Sequence, residues 1–117
     1  MSIEAIAQAA LSGEALTARS LTQDFLRSRP NLSELSSPAV QDATMLALSA
    51  ALIELFALRT KQPAPAWTQV VGAVSEPVYL VQAARTMTRL RELCREHAPE
   101  PLRKRNLYAP PNYLEMV

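Results

Sequence analysis

Apolar residues recur at helical spacing along most of the chain. Ile3, Ile6, Ala7, Ala10 and Leu11 form one stripe, the i, i+3, i+4 pattern of an amphipathic helix. Ser2 is placed to cap that helix, Glu4 suits its first turn and Gly13 stops it, which predicts a helix over 2–12. A second helix over 15–28 sets Leu21, Phe25 and Leu26 against Arg19, Gln23 and Arg27. It ends before Pro30, because the residue preceding a proline avoids the α region. The serine-rich stretch 31–37 reads as a loop. Ser37-Pro38 then offers an N-cap followed by a proline at the first helical position, and the predicted third helix runs to about Thr60. On a helical wheel Leu46, Ile53 and Phe56 share a side with Asp42 and Ser49, while Leu48, Leu52, Leu55 and Leu58 cover the other. A helix apolar nearly all round is central to a fold or shared with a partner. Leu46, Ile53 and Phe56 are therefore the candidate seam of a homo-oligomer.

The pattern changes after residue 62. KQPAPAW begins a stiff proline-rich connector over 63–76, with a short helix expected from Thr68 to Ala73. Ser75-Glu76-Pro77 is a second cap-and-proline start, and residues 78–97 lack both glycine and proline. Leu80, Ala83, Ala84, Met87, Leu90, Cys94 and His97 form a stripe that predicts a long helix over 77–98. A kink near 85–88 is allowed for, where Thr86 and Thr88 could each cap a new helix. Residues 99–117 hold four prolines and two tyrosines. They have room for one helical turn near 102–106 and are otherwise extended, lying across the helical body or a partner. The expected architecture is all-α: a single domain over 1–117, a compact bundle of about five helices (those of the N-terminal part within 1–62) with an extended C-terminal tail.

Composition supports helices over sheet. Alanine and leucine dominate, and the 117 residues include only two glycines, Gly13 and Gly72, too few for the tight turns of an all-β chain. Net charge is +1, so no global field draws the chain to nucleic acid or a membrane. Locally, residues 85–105 carry seven basic and three acidic side chains. That makes the C-terminal third the candidate for an acidic surface or phosphates. The single cysteine, Cys94, fits a reducing compartment. The N-terminus has no basic leader-like region, and the longest uncharged apolar-rich run, between Asp42 and Glu54, is 11 residues, short of a bilayer span. A cytoplasmic protein without membrane contact is expected.

Candidate chemistry is sparse. Cys94 and His97 are one helical turn apart, yet a zinc site needs two further ligands, and a nucleophile pair needs an orienting group and an oxyanion hole. Glu92, Glu96 and Glu100 alternate with arginines, as on a solvated ion-paired face. Two isolated glycines cannot make a phosphate-cradling loop. No enzyme activity, metal or cofactor is expected. The residues suited to contact are the basic triplet Arg103-Lys104-Arg105, Trp67 in the connector, and Tyr108 and Tyr113 in the tail.

The segments PAPAW, EPVYL and PEPLRKRNLYAPPNYL, spread over 63–114, resemble a group of small bacterial antitoxin-like proteins encoded beside nucleotidyltransferase-type toxins. The resemblance carries Trp67, Arg103, Lys104, Arg105, Asn106 and Tyr108 over as contact residues. It implies a non-catalytic subunit that neutralises a cognate toxin, its tail and basic segment covering an acidic or nucleotide-binding cleft. This chain departs from the members that carry a helix-turn-helix domain in front. Two other readings stay open: a nucleic-acid-binding transcriptional regulator using Arg89, Arg91, Arg95 and the triplet, or a structural homodimer built on 40–58.

Overall fold

A computed structural model describes residues 2–115; Met1, Met116 and Val117, the ends of the expected domain and tail, lie outside the described residues. Among those described there are five α-helices: α1 Ile3–Leu11, α2 Ala15–Arg27, α3 Ala43–Thr60, α4 Thr88–His97 and α5 Glu100–Arg103. Short 3-10 turns lie at Leu32–Glu34, Ala66–Val70 and Gln82–Arg85, and two two-residue strands, β1 Val78–Tyr79 and β2 Leu107–Tyr108, pair in parallel. The fold is the expected helical bundle. Its radius of gyration, 13.2 Å, is that of a compact chain of this length, so the C-terminal segment does not project.

The first two helices form where the periodicity places them. Ser2 Oγ accepts from the Ala5 N–H, and Gly13 reverses the chain at φ 75°, a left-handed conformation open to glycine. A side chain at position 13 would also collide with Gln82, so this turn packs directly under the 3-10 turn Gln82–Arg85. The third helix starts later than Ser37-Pro38 predicts. Asp42 Oδ1 accepts from the Thr44 N–H at 2.9 Å and supplies the cap, while Pro38 is buried outside the helix. At the other end Lys61 adopts φ 57°, and the Gln62 N–H reaches back to the Ala57 carbonyl, closing the helix as a left-handed cap does.

Helix α3 is the axis of the core. Every residue from Ala47 to Ala57 is buried, and Leu48, Leu52, Ile53 and Phe56 are inaccessible to solvent. Burial of such side chains is worth about 1.5–3 kcal/mol each. The Phe25 and Phe56 rings meet at 6.0 Å. The oligomer seam is therefore corrected: Ile53 and Phe56 face the chain's own core, and of the three only Leu46 keeps some exposure. With 18 residues and a mean hydropathy of 1.5, α3 is long and apolar enough to cross a membrane, but 67% of it is buried inside this fold.

The long helix over 77–98 is also corrected. Val78 and Tyr79 leave the helical pattern to pair with Leu107 and Tyr108, and the 3-10 turn Gln82–Arg85 intervenes before α4. Tertiary pairing of β-forming residues overrides the helical stripe here. The break falls where a kink was allowed for, although Met87, not a threonine, is the N-cap and no side chain caps it. The tail is more structured than an extended segment. It carries α5 and β2, and Leu102, Leu107, Ala109 and Leu114 are buried against the body. Arg59 at the end of α3 holds it by donating to the Tyr113 and Pro111 carbonyls.

One buried hydroxyl in α3, Ser49 Oγ, finds no partner among the described residues. A buried polar atom left unpaired costs about 1–3 kcal/mol. Ser49→Ala is expected to raise the unfolding free energy by about 1 kcal/mol in urea titration, with an unchanged m-value; a loss of stability would show that the hydroxyl has a partner.

Candidate functional site

The basic triplet divides. Arg105 is 1% exposed, and all five of its N–H groups are used. Its two terminal nitrogens donate to Glu54 Oε1 and Oε2 at 2.8 and 2.9 Å. The remaining donors go to the carbonyls of Pro101, Thr68 and Val71. One guanidinium thus ties α3, α5 and the connector together. Only arginine presents five donors in a planar fork. Lys104 Nζ lies 2.9 Å from Glu54 Oε1 while its side chain remains half-exposed. Arg103 is exposed and donates to the Glu96 carbonyl. The expectation that Arg105 contacts a partner is therefore corrected: its charge and every donor are spent inside the chain.

Burial by itself would push the Glu54 carboxyl up. Hydrogen bonds from Arg105 and Lys104 outweigh that, and hold it at about 2 against an ordinary 4.5.

Asn106 and the aromatic residues are also occupied internally. Asn106 sits at φ 65°, where asparagine is among the few tolerated residues. Its Nδ2 donates to the Val74 carbonyl and its Oδ1 accepts from the Tyr108 hydroxyl. Tyr108 and Tyr79 stack at 5.3 Å across the β1–β2 pair. Tyr113 is half-buried, and burial pushes its hydroxyl up to about 12. Trp67 Nε1 donates to the Leu35 carbonyl at 2.8 Å, pinning the connector to the loop before α3.

Cys94 is buried, and burial pushes its thiol up, away from the thiolate a nucleophile needs. His97 is exposed beside Glu96. No group of three or more histidine, cysteine, aspartate or glutamate side chains is placed to hold a metal ion among the described residues.

Two depressions on the surface are largely apolar, and a third is lined by Glu54, Gln62, Gln69, Glu100 and Lys104. A trough beside Trp67 is lined by Leu46, Val71 and Val74, with Val70 on its lip at 85% exposure. A second groove, of about 420 Å³, lies between Ala10, Leu16, Leu80, Val81 and Tyr113, with Leu16 84% exposed. Neither Val70 nor Leu16 stands out by helical spacing, because both lie off the core stripes. Comparisons with protein-family models, curated proteins and solved structures find no match to this chain.

Two measurements follow from the Glu54–Arg105 pair. Removing one partner of a buried ion pair costs about 3–5 kcal/mol. Glu54→Gln and Arg105→Met should each lose that much in denaturant unfolding, and Arg105→Lys should recover only part of it. Wild-type stability near neutral pH would be expected from the variants if the pair contributed nothing. The second measurement is of pH. Because the folded carboxyl lies below its unfolded value, the stabilisation is complete above about pH 5 and is lost as the pH falls towards 2. The thermal midpoint of the wild type should drop across that window, and Glu54→Gln should lack this component.

Proposed function

We propose that the chain is a non-catalytic protein-binding module, an antitoxin-like neutralising subunit acting in the cytoplasm of a bacterium as half of a two-gene system. The observation that carries the reading is the trough at Trp67. Val70, 85% exposed, stands beside Leu46, Trp67, Val71 and Val74, three residues after the PAPAW segment whose Trp67 belongs to the resemblance. A β-branched aliphatic side chain left in water next to an apolar depression is the anatomy of an interface core. The unpaired Cys94 fits a reducing compartment.

The contact geometry differs from a tail laid over a partner's cleft. Residues 99–115 pack on the chain's own helices, so the partner meets the connector and not the tail. A regulator gripping phosphates is the weaker reading, because Lys104 and Arg105 both turn to Glu54.

Co-expression with the product of the adjacent gene tests this. The two proteins should co-elute in gel filtration, and the neighbour's activity should be suppressed. Val70→Glu should keep the fold while weakening the complex at least tenfold, about 1.4 kcal/mol. A chain that elutes alone and leaves its neighbour fully active would overturn the proposal.

A further inference from the structure

The 420 Å³ groove differs from the Trp67 trough in having a charged residue in its lining. Segments far apart in sequence build it. The end of α1 and the start of α2 supply Ala10 and Leu16, the stretch after β1 supplies Leu80 and Val81, and the tail supplies Tyr113 and Leu114. Ala10, Leu80 and Leu114 are buried, whereas Leu16 is largely in water. Leu16 belongs to the groove and not to the core, because α2 buries Ala18, Thr22 and Phe25 instead. Small-molecule sites are typically clefts of about 300–1,000 Å³, mostly apolar and with a few polar groups.

Four polar side chains line the same groove: Arg19, Gln82, Asn112 and Tyr113. Arg19 follows Ala15 and Leu16 at i+4 and i+3, so all three share the side of α2 that meets the groove. Among the described residues none of the four side chains has a hydrogen-bond partner, and Arg19 makes no ion pair. Tyr113 is held through its carbonyl, and its hydroxyl is shifted by burial alone, with no hydrogen bond contributing. All four can donate. No carboxylate lines the groove. Glu14 and Glu115 adjoin lining residues in sequence, but both are exposed outside it. An unopposed cation with neutral donors beside apolar walls is complementary to one anionic head on an apolar body.

We propose that this groove binds a small free monocarboxylate with an apolar tail. The carboxylate sits on the planar fork of Arg19, which suits it geometrically, and the tail covers Leu16, Leu80 and Val81. A phosphate ester fits less well, since phosphates are met by clustered cations or by glycine-rich backbone and one cation lines this groove. The groove shares no lining residue with the Trp67 trough, so the proposal stands apart from the reading of the chain as a neutralising subunit.

Isothermal titration of the full chain with decanoate, decanol and decylammonium, each below its micelle concentration, tests it. Decanoate should bind more tightly than either of the others by about tenfold, the margin that a hydrogen bond to a charged group gives. Salt should narrow the gap. Arg19→Gln should bring decanoate down to the level of decanol, and Leu16→Gln should weaken all three probes. Leu16 and Arg19 are exposed, so the fold should survive, as circular dichroism would verify. The proposal is overturned if decanoate does not bind, if the three probes bind equally, or if Arg19→Gln leaves decanoate binding unchanged. It is also overturned if the wild type sediments as a dimer that Leu16→Gln dissociates, which would assign the groove to a second copy. Co-sedimentation with phosphatidylglycerol vesicles that is lost in Arg19→Gln would assign it to a membrane and overturn it likewise.

Discussion

Glu54 is a carboxylate set in the middle of a helix whose neighbours on every side are apolar. Left alone there it would have to be neutralised, since an unpaired buried charge is costly. Arg105, 51 residues further along, supplies the compensation, and the architecture of the C-terminal half follows from delivering it. α5 has to end beside α3, the connector has to lay its Thr68 and Val71 carbonyls around the guanidinium, and Asn106 has to turn the chain immediately afterwards so that β2 can run beside β1. A purely hydrophobic pairing of the same elements would have tolerated sliding. A bidentate ion pair with three further carbonyl acceptors does not, because a shift of one residue on any of the three strips donors of their acceptors.

Specificity and stability are separate properties of such a pair. Buried ion pairs frequently contribute little net stability relative to well-packed aliphatic residues. What this one determines is which of several leucine-rich surfaces docks on α3. The core itself, built from Ile6, Leu32, Leu48, Leu52, Phe56, Leu102 and Leu107, carries the bulk of the favourable energy.

Much of this was legible in the sequence where local rules suffice. The caps at Ser2 and Gly13, the end of α3 near Thr60 and the centrality of that helix all come from residues within a few positions of one another. The failures share a cause. Val78 and Tyr79 carry a helical stripe on one side and β-propensity on the other, and a partner 29 residues away decides between them. Arg105 reads as one member of a basic surface run until Glu54 is placed opposite it. The signal for that pairing was a lone carboxylate in an apolar stretch, which needs a basic partner from somewhere. Ile53 and Phe56 lie on the more polar side of the wheel and so read as an oligomer seam, whereas both are buried within the chain, with Phe56 against Phe25 of α2. Val70 could not be anticipated, since exposure is a property of what fails to pack against a residue.

The parallel pairing of β1 with β2 and the clasp of Arg59 on the Pro111 and Tyr113 carbonyls have a consequence for how the chain emerges during synthesis. A helix is covered only when the residues that cover it exist, and Leu102, Arg105, Leu107 and Leu114 are made more than 40 residues after α3 is complete. Until then α1 and α2 cover only part of α3, and the carboxylate at its middle has no partner. Vectorial synthesis therefore offers no early folding intermediate with a finished core, and the nascent chain depends on closure at its far end. A chain cut short anywhere before Arg105 would leave Glu54 without its partner and part of α3 without its cover.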